Sequence, residues 1–360
     1  MSSTPLLDFG DLFTQYPHAT RPMGGQPPVA VSGGFSGAQV WRVATHSGPM
    51  ALRGTDRHAI TLDRVRELHR LVEFVQNRSG VPLAVPVRSL AGESLVVHGS
   101  FVWQLEPWLP GRADVEPVVS RGRLTAAMTT LARWHLAAAT FVPSAPGQAW
   151  FYSAAAQPSP GLNERLARLE LWQADRSRHV RDVLEHSDWT EFRKLGRAIL
   201  DSFHRLAPEV ATRLKVAARI PERLQPCLRD VWRAHVLFTE DRVTGLIDLH
   251  AARTDHVATD LARLLGSFVA DDREGWAAGL AAYQTVHPLS VAEQALVELF
   301  DQSAVLLSGL TWLEWACLER RQFADRETVE SRLHEIWQRM RTACAQAEGR
   351  GASAIILTSH

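Results

Sequence analysis

A short segment rich in proline and glycine divides this chain into two parts with different hydrophobic patterns. Residues 106–111 read Glu-Pro-Trp-Leu-Pro-Gly, and such a run interrupts both helices and strands. Before it the apolar residues favour strands, and after it they favour helices almost throughout. The sequence therefore predicts an α+β protein in which a β-rich N-lobe and a larger, mainly helical C-lobe are joined by a stiff hinge.

The first part reads as a sheet with one inserted helix. Residues 61–78 carry apolar side chains at helical spacing, and the other apolar runs are short and strand-like. We place an N-terminal lead-in at residues 1–27, the sheet lobe at 28–105 and the hinge at 106–112. Strands are predicted at residues 38–43, 50–53, 85–90, 94–97 and 101–105.

The second part, residues 113–347, is predicted to be helical and to be followed by a C-terminal tail at 348–360. Ser290 and Glu293 have the spacing of a capping box and open a long helix that ends near residue 319. Short apolar runs within residues 224–250 predict a hairpin. Further helices are predicted at residues 122–139, 163–184, 189–206 and 327–347.

Charge and cysteine content exclude several classes of protein. The 39 basic and 39 acidic residues balance, so the basic excess typical of nucleic-acid-binding proteins is missing. The three cysteines are far apart and form no CxxC pair, which indicates neither a disulfide framework nor a zinc site. The N-terminus lacks a signal-peptide pattern, and no run of about 18 apolar residues occurs. We expect a cytoplasmic protein that binds neither nucleic acid nor membrane, and its oligomeric state stays open.

A glycine cluster, residues 32–37, lies between two candidate strands. Its glycines Gly33 and Gly34, with Ser36, could bring backbone N–H groups close to an anion. An ordinary glycine hairpin turn is the alternative. The cluster is not a Walker A loop, because no Gly-Lys-Ser/Thr follows it.

Two aspartates and a histidine have the order and spacing used in kinase-type phosphoryl transfer. Asp230 is followed five residues later by His235, then by a strand pair and Asp248. In that chemistry the first Asp orients the substrate hydroxyl, and the later Asp and the intermediate polar residue hold metal ions on the phosphates. Asp248 alone is equally consistent with a structural role. The order of the glycine cluster, hinge and aspartates favours the functional interpretation.

These motifs resemble the aminoglycoside phosphotransferase and choline kinase superfamily, the small-molecule relatives of protein kinases. The resemblance covers about residues 28–345 and is strongest over residues 230–266. Where the family has His-Gly-Asp, Asn, Ile-Asp-Phe and Asp-Leu-Ala, this chain has Leu-Arg-Asp at 228–230, His235, Ile-Asp-Leu at 247–249 and Asp-Leu-Ala at 260–262. Residues 131–135 look like the Leu-Ala-x-Leu-His helix of the family, and residues 106–111 look like its hinge. The resemblance implies a bilobal protein-kinase-like fold.

The resemblance also implies roles for individual residues. Asp230 would be the catalytic aspartate, Asp248 the metal aspartate, and Asp260 a structural residue that steadies the catalytic loop. Arg53 falls where the family places its phosphate-binding lysine, with Glu67 as the first candidate for its ion-pair partner and Glu73 as the second. The nucleotide would be bound by Gly33, Gly34 and Ser36 at its phosphates and by backbone groups of Leu105, Glu106 and Pro107 at its base.

Three residues depart from the family pattern. Leu228 replaces a histidine that braces the loop. Arg53 replaces lysine in a chain whose only lysines are Lys194 and Lys215, and a forked guanidinium is not a conservative replacement at a tight site. His235 replaces asparagine. Because Mg²⁺ prefers oxygen donors, His235 could bind a softer ion such as Mn²⁺, contact a phosphate, or only pack in the loop.

The sequence therefore predicts a phosphotransferase that moves the γ-phosphoryl group of ATP or GTP to a hydroxyl of a small molecule, with Mg²⁺ or Mn²⁺. The alternative is a catalytically impaired pseudokinase, or a nucleotide- or small-molecule-binding module. The departures at Arg53, Leu228 and His235 favour that alternative, and the presence of both Asp230 and Asp248 argues against it. The sequence does not identify the acceptor or decide between ATP and GTP.

Overall fold

The computed structural model describes residues 9–24, 26–31, 38–114, 118–323 and 325–357. The chain forms two compact units. The first consists of the chain up to Ser153 together with Arg233–Arg253, and the second consists of Ala154–Trp232 together with the chain from Thr254 onward.

Antiparallel strands and long helices make up both units. In chain order the strands are β1 (Val29–Val31), β2 (Gln39–Thr45), β3 (Gly48–Asp56), β4 (Val96–His98), β5 (Phe101–Pro107), β6 (Arg112–Ala113), β7 (Ala154–Gln157), β8 (Glu222–Cys227), β9 (Val236–Thr239), β10 (Arg242–Leu246) and β11 (Arg253–Asp255). The α-helices are α1 (Gly10–Thr14), α2 (Leu62–Ser79), α3 (Arg121–Ala138), α4 (Pro160–Leu171), α5 (Ser177–Glu185), α6 (Thr190–Ala217), α7 (Ala258–Val269), α8 (Arg273–Gln284), α9 (Val291–Leu313) and α10 (Arg326–Leu357).

The main sheet of the first unit has the order β1-β2-β3-β5-β4. Its centre is the β3–β5 pair, whose register places Arg53 opposite Gln104. The alternation of side chains along a strand sends Leu52 and Leu105 to the core and leaves Arg53 and Gln104 on the other face. Residues 85–90, predicted as a strand, form none because their irregular backbone bonds to β5 only at Val87.

The predicted lead-in is partly structured. Leu12, Phe13 and Tyr16, on α1 and just after it, are buried in one apolar cluster with Leu52 and Trp103 of the sheet. A helix of five residues is too short to be stable alone, so this burial holds it in place. Leu12, Phe13 and Tyr16 therefore belong to the core of the first unit.

The domain boundaries also differ from the predicted ones. Helix α3 and the β9–β10 hairpin were expected in the helical lobe, but both belong to the first unit. The physical reason is packing, since α3 lies against both α2 and β10. Strand β6 joins the hairpin in a small sheet of order β10-β9-β6.

The second unit is built around α6 and α9. At Gly309 of α9 a Cβ atom would lie 2.8 Å from Ile199 of α6, so the glycine allows these two helices to approach closely. The capping box of Ser290 and Glu293 at the start of α9 is confirmed, with both reciprocal hydrogen bonds present. The predicted helix at 163–184 is divided into α4 and α5 by a π-helical turn at Trp172–Arg176. The predicted tail is helical as far as Leu357, because α10 continues through it.

Among the described residues, the segment Val291–Leu318 is long and apolar enough to span a membrane by length and composition. Its most apolar stretch is 61% buried inside the protein. Burial of this kind is what the core helix of a soluble protein shows.

Candidate active site

Asp248 lies immediately beyond the β9–β10 hairpin, and the hairpin brings His235 to it. The N–H of Ile247 donates a hydrogen bond to the carbonyl of His235 at 3.0 Å, which aligns the two ends of the hairpin. Nε2 of His235 then lies 3.6 Å from Oδ2 of Asp248. The backbone of Asp248 is left-handed, with φ 59° and ψ 56°, a conformation that is uncommon outside glycine and often occurs at functional sites.

Arg53 approaches the same carboxylate from β3. Its Nη1 donates to Oδ1 of Asp248 at 3.4 Å, and only 13% of the Arg53 side chain is exposed. The structure thus brings together three residues that the sequence predicted for one site. Asp248 has a cationic side chain on one oxygen and an imidazole on the other.

Glu106 contributes a partly buried carboxylate that the sequence did not predict, since only its backbone was expected to act. Burial raises the pKa of Glu106, the neighbouring Arg53 guanidinium and a hydrogen bond from Gln104 lower it, and the Asp248 carboxylate raises it further. Arg53 therefore lies in the field of two carboxylates, one on β5 and one beyond the β9–β10 hairpin. Together with His69, Gln104 and several apolar side chains they line a cavity of about 30 Å³, which is enough for a water molecule.

A chain of buried polar groups connects α2 to Glu106. Nε2 of His69 lies 3.1 Å from Oε1 of Gln104, and Nε2 of Gln104 donates to Glu106 at 3.0 Å. Because the Gln104 oxygen can only accept, His69 carries its proton on Nε2 and its Nδ1 accepts from the Ser94 hydroxyl at 2.9 Å. Burial lowers the pKa of His69 to about 4, so the ring is neutral. A histidine in an apolar helical pattern gave no sequence signal for this role.

The predicted ion pair between Arg53 and Glu67 is wrong. Both residues lie in the described part of the chain, but the Glu67 carboxylate accepts from Arg70 at 2.7 and 2.9 Å and from the N–H and hydroxyl of Ser144 at 2.8 and 2.7 Å. Glu67 therefore faces the loop after α3 and not the sheet. The second candidate, Glu73, pairs with Arg88 at 2.7 Å.

Some backbone groups of the predicted hinge already form hydrogen bonds within the protein. Leu105, Glu106 and Pro107 extend β5 and do not form the break, which begins at Trp108. The carbonyl of Leu105 accepts from Val87 at 2.7 Å, and the N–H of Trp108 donates to Pro49 at 3.0 Å. Backbone groups point to opposite sides of an antiparallel strand at successive residues. The N–H and carbonyl of Glu106 therefore point towards β3, as the N–H of Trp108 does, and the carbonyl of Pro107 points away from β3.

The glycine cluster with Gly33, Gly34 and Ser36 lies outside the described residues. Its predicted contact with phosphates stays a prediction.

In the second unit, Asp260 fixes the loop that carries Asp230. Its two carboxylate oxygens accept from the N–H groups of Leu228 and Arg229, each at 2.6 Å. The Arg229 backbone is left-handed, with φ 63°, and its side chain pairs with Glu164 and with Asp255. Asp260 thus takes the loop-bracing role that the sequence predicted, and Leu228 is buried in the core.

Asp230 itself is half-exposed, and its Oδ1 accepts from Nη2 of Arg263 at 2.9 Å. Arg263 lies three residues after Asp260, on the same helix, α7. The sequence gave no signal for this arginine beyond its spacing from Asp260.

The order of strands, the position of the inserted helix and the two aspartate loops together define a phosphotransferase fold. The chain belongs to the phosphotransferase enzyme family, whose model matches residues 29–296.

The chain is similar in sequence to curated kinases and similar in fold to several solved structures. Homoserine kinase of Methylobacterium nodulans is 32% identical over 167 residues, which cover 43% of this chain and 51% of that protein. The chain spans about half the length of the curated relatives it matches.

Two solved structures share the fold. Spectinomycin phosphotransferase, in complex with ADP and spectinomycin, has a TM-score of 0.67 at 12% identity, with 89% of this chain and 94% of that chain covered. An amicoumacin kinase in complex with AMP-PNP, Ca²⁺ and amicoumacin has a TM-score of 0.59 at 15% identity, with 87% and 89% covered.

Proposed function

We propose that this protein transfers the γ-phosphoryl group of ATP or GTP to a hydroxyl of a small molecule. The observation that carries the proposal is the 3.4 Å approach of the Arg53 guanidinium to the Asp248 carboxylate, two residues 195 positions apart in the sequence. A permanent cation beside a carboxylate is the pairing that holds nucleotide phosphates and their metal ion in kinase-type transfer. Relatives named as homoserine kinase, and nucleotide-bound phosphotransferases of the same fold, support it.

In this proposal Arg53 binds a phosphate oxygen, and Gly33, Gly34 and Ser36 supply backbone and hydroxyl donors to the phosphates. Leu105, Glu106 and Pro107 lie along the base, where the Pro107 carbonyl is the outward-pointing acceptor. Glu106 acts through its side chain as well, because its charge helps to hold the Arg53 guanidinium in place. Glu67 does not contact the nucleotide in this proposal; it holds the loop at Ser144 and so stabilises the first unit.

The donors at Asp248 fit one divalent ion better than two. Asp248 offers carboxylate oxygens, whereas the adjacent His235 offers a nitrogen. Mg²⁺ takes one or two carboxylates, with water and phosphate oxygens completing its octahedron, so Asp248 would hold it, and His235 would favour Mn²⁺ at the same position. The ion would neutralise charge on the phosphates during transfer.

Asp230 orients the acceptor hydroxyl and receives its proton. The hydroxyl oxygen forms a bond to the γ-phosphorus as the bond between that phosphorus and the bridging oxygen breaks, so the nucleoside diphosphate leaves with that electron pair. The proton passes to Asp230 and then to solvent. Catalysis consists mainly of positioning and electrostatic stabilisation.

We also propose that the protein works in the cytoplasm. All three cysteines, Cys227, Cys317 and Cys344, are free and buried, which suits a reducing compartment.

The test is a thermal shift with ATP and GTP, each with Mg²⁺, Mn²⁺ or no metal, on the wild type, Asp230→Ala and Asp248→Ala. We expect metal-dependent stabilisation by nucleotide in the wild type and in Asp230→Ala, and its loss in Asp248→Ala. Phosphoryl transfer to a panel of hydroxyl acceptors should be lost in both variants. The absence of any metal-dependent stabilisation in the wild type contradicts the proposal, and stabilisation without transfer to any acceptor favours the pseudokinase alternative.

A further inference from the structure

Arg64, near the start of helix α2, binds the segment that follows Asp248. Its Nη2 donates to the carbonyl of His250 at 2.7 Å and to the carbonyl of Ala252 at 2.9 Å. All of these residues belong to the first unit. The two acceptors lie 186 and 188 positions after Arg64 in the sequence, so no local pattern could have indicated the contact.

The segment that Arg64 binds is a single 3-10 turn, Leu249–Ala251, and Asp248 is the residue immediately before it. The turn has one hydrogen bond of its own, from the N–H of Ala252 to the carbonyl of Leu249 at 3.0 Å. The last carbonyls of a helical turn have no partner within the turn. Arg64 supplies the donor for two of them, and this fixes the turn against α2.

The backbone of Asp248 is therefore held from both sides. Before it, the N–H of Ile247 donates to the carbonyl of His235 at 3.0 Å. After it, Arg64 holds the turn. A residue other than glycine stays in the left-handed region, as Asp248 does with φ 59°, only where its surroundings fix it. The direction of the Asp248 carboxylate therefore depends in part on Arg64.

The surroundings of Arg64 suit this purpose. Its guanidinium lies over the ring of Phe151, 6.0 Å from the centroid, and Phe151 is fully buried. Among the described residues its hydrogen bonds go to the two carbonyls and not to a carboxylate. A guanidinium directs several donors in a fixed plane, which allows one nitrogen to bind both carbonyls.

Helix α2 also orders the other carboxylate near Arg53. His69 of the same helix is connected through Gln104 to Glu106, by contacts of 3.1 and 3.0 Å. One helix thus acts on both carboxylates, on Glu106 through a side-chain chain and on Asp248 through backbone carbonyls. The expected contact of α2 with this site was Glu67, and these two routes take its place.

We propose, building on the phosphotransferase function above, that Arg64 is a positioning residue for the metal ion of the nucleotide. Arg64 contacts neither the ion nor the nucleotide. It holds the turn after Asp248, so that the carboxylate is already oriented when the metal–nucleotide complex binds. Without Arg64 this segment has to be ordered during binding, which lowers the affinity for the metal-bound form.

The test measures how strongly the metal improves nucleotide binding. The quantity is the Kd of a non-hydrolysable ATP analogue in EDTA divided by its Kd at saturating Mn²⁺, both from titration calorimetry. Arg64→Met keeps an apolar side chain at Phe151 and removes the donors. It should lower this ratio by about tenfold or more, as loss of a residue that orients a metal ligand does. The Kd in EDTA should stay within about threefold of that of the wild type.

The ratio separates positioning from general stability. A variant that is partly unfolded has fewer binding sites both with and without metal, so its ratio does not change. Arg64→Lys keeps a cationic donor without the planar fork, and its ratio should lie between those of the wild type and Arg64→Met. Arg66→Met is the matched control, because Arg66 lies on the same helix and pairs with Asp63 at 3.2 Å and Glu93 at 3.3 Å.

An unchanged ratio in Arg64→Met, or an equal fall in Arg66→Met, overturns the inference and leaves Arg64 as a residue that only stabilises the first unit. If Arg64→Met does not fold, Arg64→Lys decides. A lower ratio at unchanged Kd in EDTA then supports the inference, and a wild-type ratio overturns it. A wild type that binds nucleotide equally well with and without metal contradicts the proposed function itself.

Discussion

Nη1 of Arg53 lies 3.4 Å from Oδ1 of Asp248, and the two residues come from strand β3 and from the end of a distant hairpin. Arg53 falls at the position where the resemblance to small-molecule kinases implies a phosphate-binding lysine. A lysine ammonium is a single point charge, whereas the guanidinium can bond to Asp248 and still direct other donors at Glu106 and at a phosphate. This geometry predicts that the site depends on the fork of the arginine.

Arg53→Lys should weaken nucleotide binding by about tenfold, which is about 1.4 kcal/mol. The shorter reach of a single ammonium cannot serve Asp248, Glu106 and a phosphate together. Isothermal titration with the non-hydrolysable ATP analogue and Mn²⁺ measures the change. Arg42→Lys, at an exposed position on the neighbouring strand β2, is the control. Tighter binding by Arg53→Lys would mean that the arginine is a burden on the site.

His235→Asn should shift the metal preference from Mn²⁺ towards Mg²⁺. The substitution replaces a nitrogen donor beside Asp248 with an amide oxygen, which Mg²⁺ prefers. Metal titrations of the thermal shift with ATP give the midpoint for each ion. Asp241→Asn, in the exposed turn of the same hairpin, serves as the control. Unchanged midpoints for both ions would show that His235 does not contact the metal.

His69→Gln should make the free energy of unfolding fall less steeply as the pH is lowered into the mildly acidic range. The folded pKa of His69 is about 4, below its ordinary value of 6.5, so the unfolded chain takes up the proton first as pH falls. His69 therefore contributes stability above pH 6.5 that is lost towards pH 4, with a slope of at most about 1.4 kcal/mol per pH unit. Urea unfolding of wild type and variant at several pH values measures the slopes. Parallel curves would exclude a neutral buried His69.

Asp260→Asn should destabilise the protein by about 1–3 kcal/mol and reduce transfer more than nucleotide binding. The amide has only one oxygen for the N–H groups of Leu228 and Arg229, and its NH₂ group opposes the other N–H. Chemical denaturation measures the loss of stability. The fold-change in kcat, compared with the fold-change in nucleotide affinity, shows whether transfer is reduced more than binding. Equal losses in both functional parameters would indicate general unfolding and not a displaced Asp230 loop.

Glu67→Gln should lower the free energy of unfolding by about 1–3 kcal/mol, because the buried carboxylate loses charge-assisted bonds to Arg70 and Ser144. Nucleotide affinity should change by less than about twofold, a change of under 0.5 kcal/mol. Titration calorimetry with a nucleotide analogue separates the two effects. A large loss of affinity at unchanged stability would restore the predicted partnership with Arg53.

The sequence predicted the regular elements of the fold well because their periodicity is local. Helix α2 was expected at residues 61–78 and occupies Leu62–Ser79, and the capping box of α9 is present. Helix α1 was missed because its stability comes from burying Leu12 and Phe13 against a sheet far along the chain. Local patterns do not contain that information.

The site was predicted in part for the same reason. Asp230, His235, Asp248 and Asp260 follow one another at a spacing that a motif describes, so the sequence alone predicts them as site residues. The partners of charged residues depend on side-chain direction after folding. The sequence therefore did not predict that Glu67 binds Ser144. It also did not predict the hydrogen bonds that connect His69 through Gln104 to Glu106, because these depend on how α2 packs against β5.

The arginine at position 53 has a practical consequence for chemical labelling. Reactive nucleotide derivatives that acylate an active-site amine need a nucleophilic lysine, and a guanidinium stays protonated and does not react. The only lysines, Lys194 and Lys215, both lie on α6 with side chains 73% and 54% exposed. Amine-directed reagents would therefore label the exposed face of α6 and not the proposed nucleotide site, so a survey of kinases that relied on them would not count this protein.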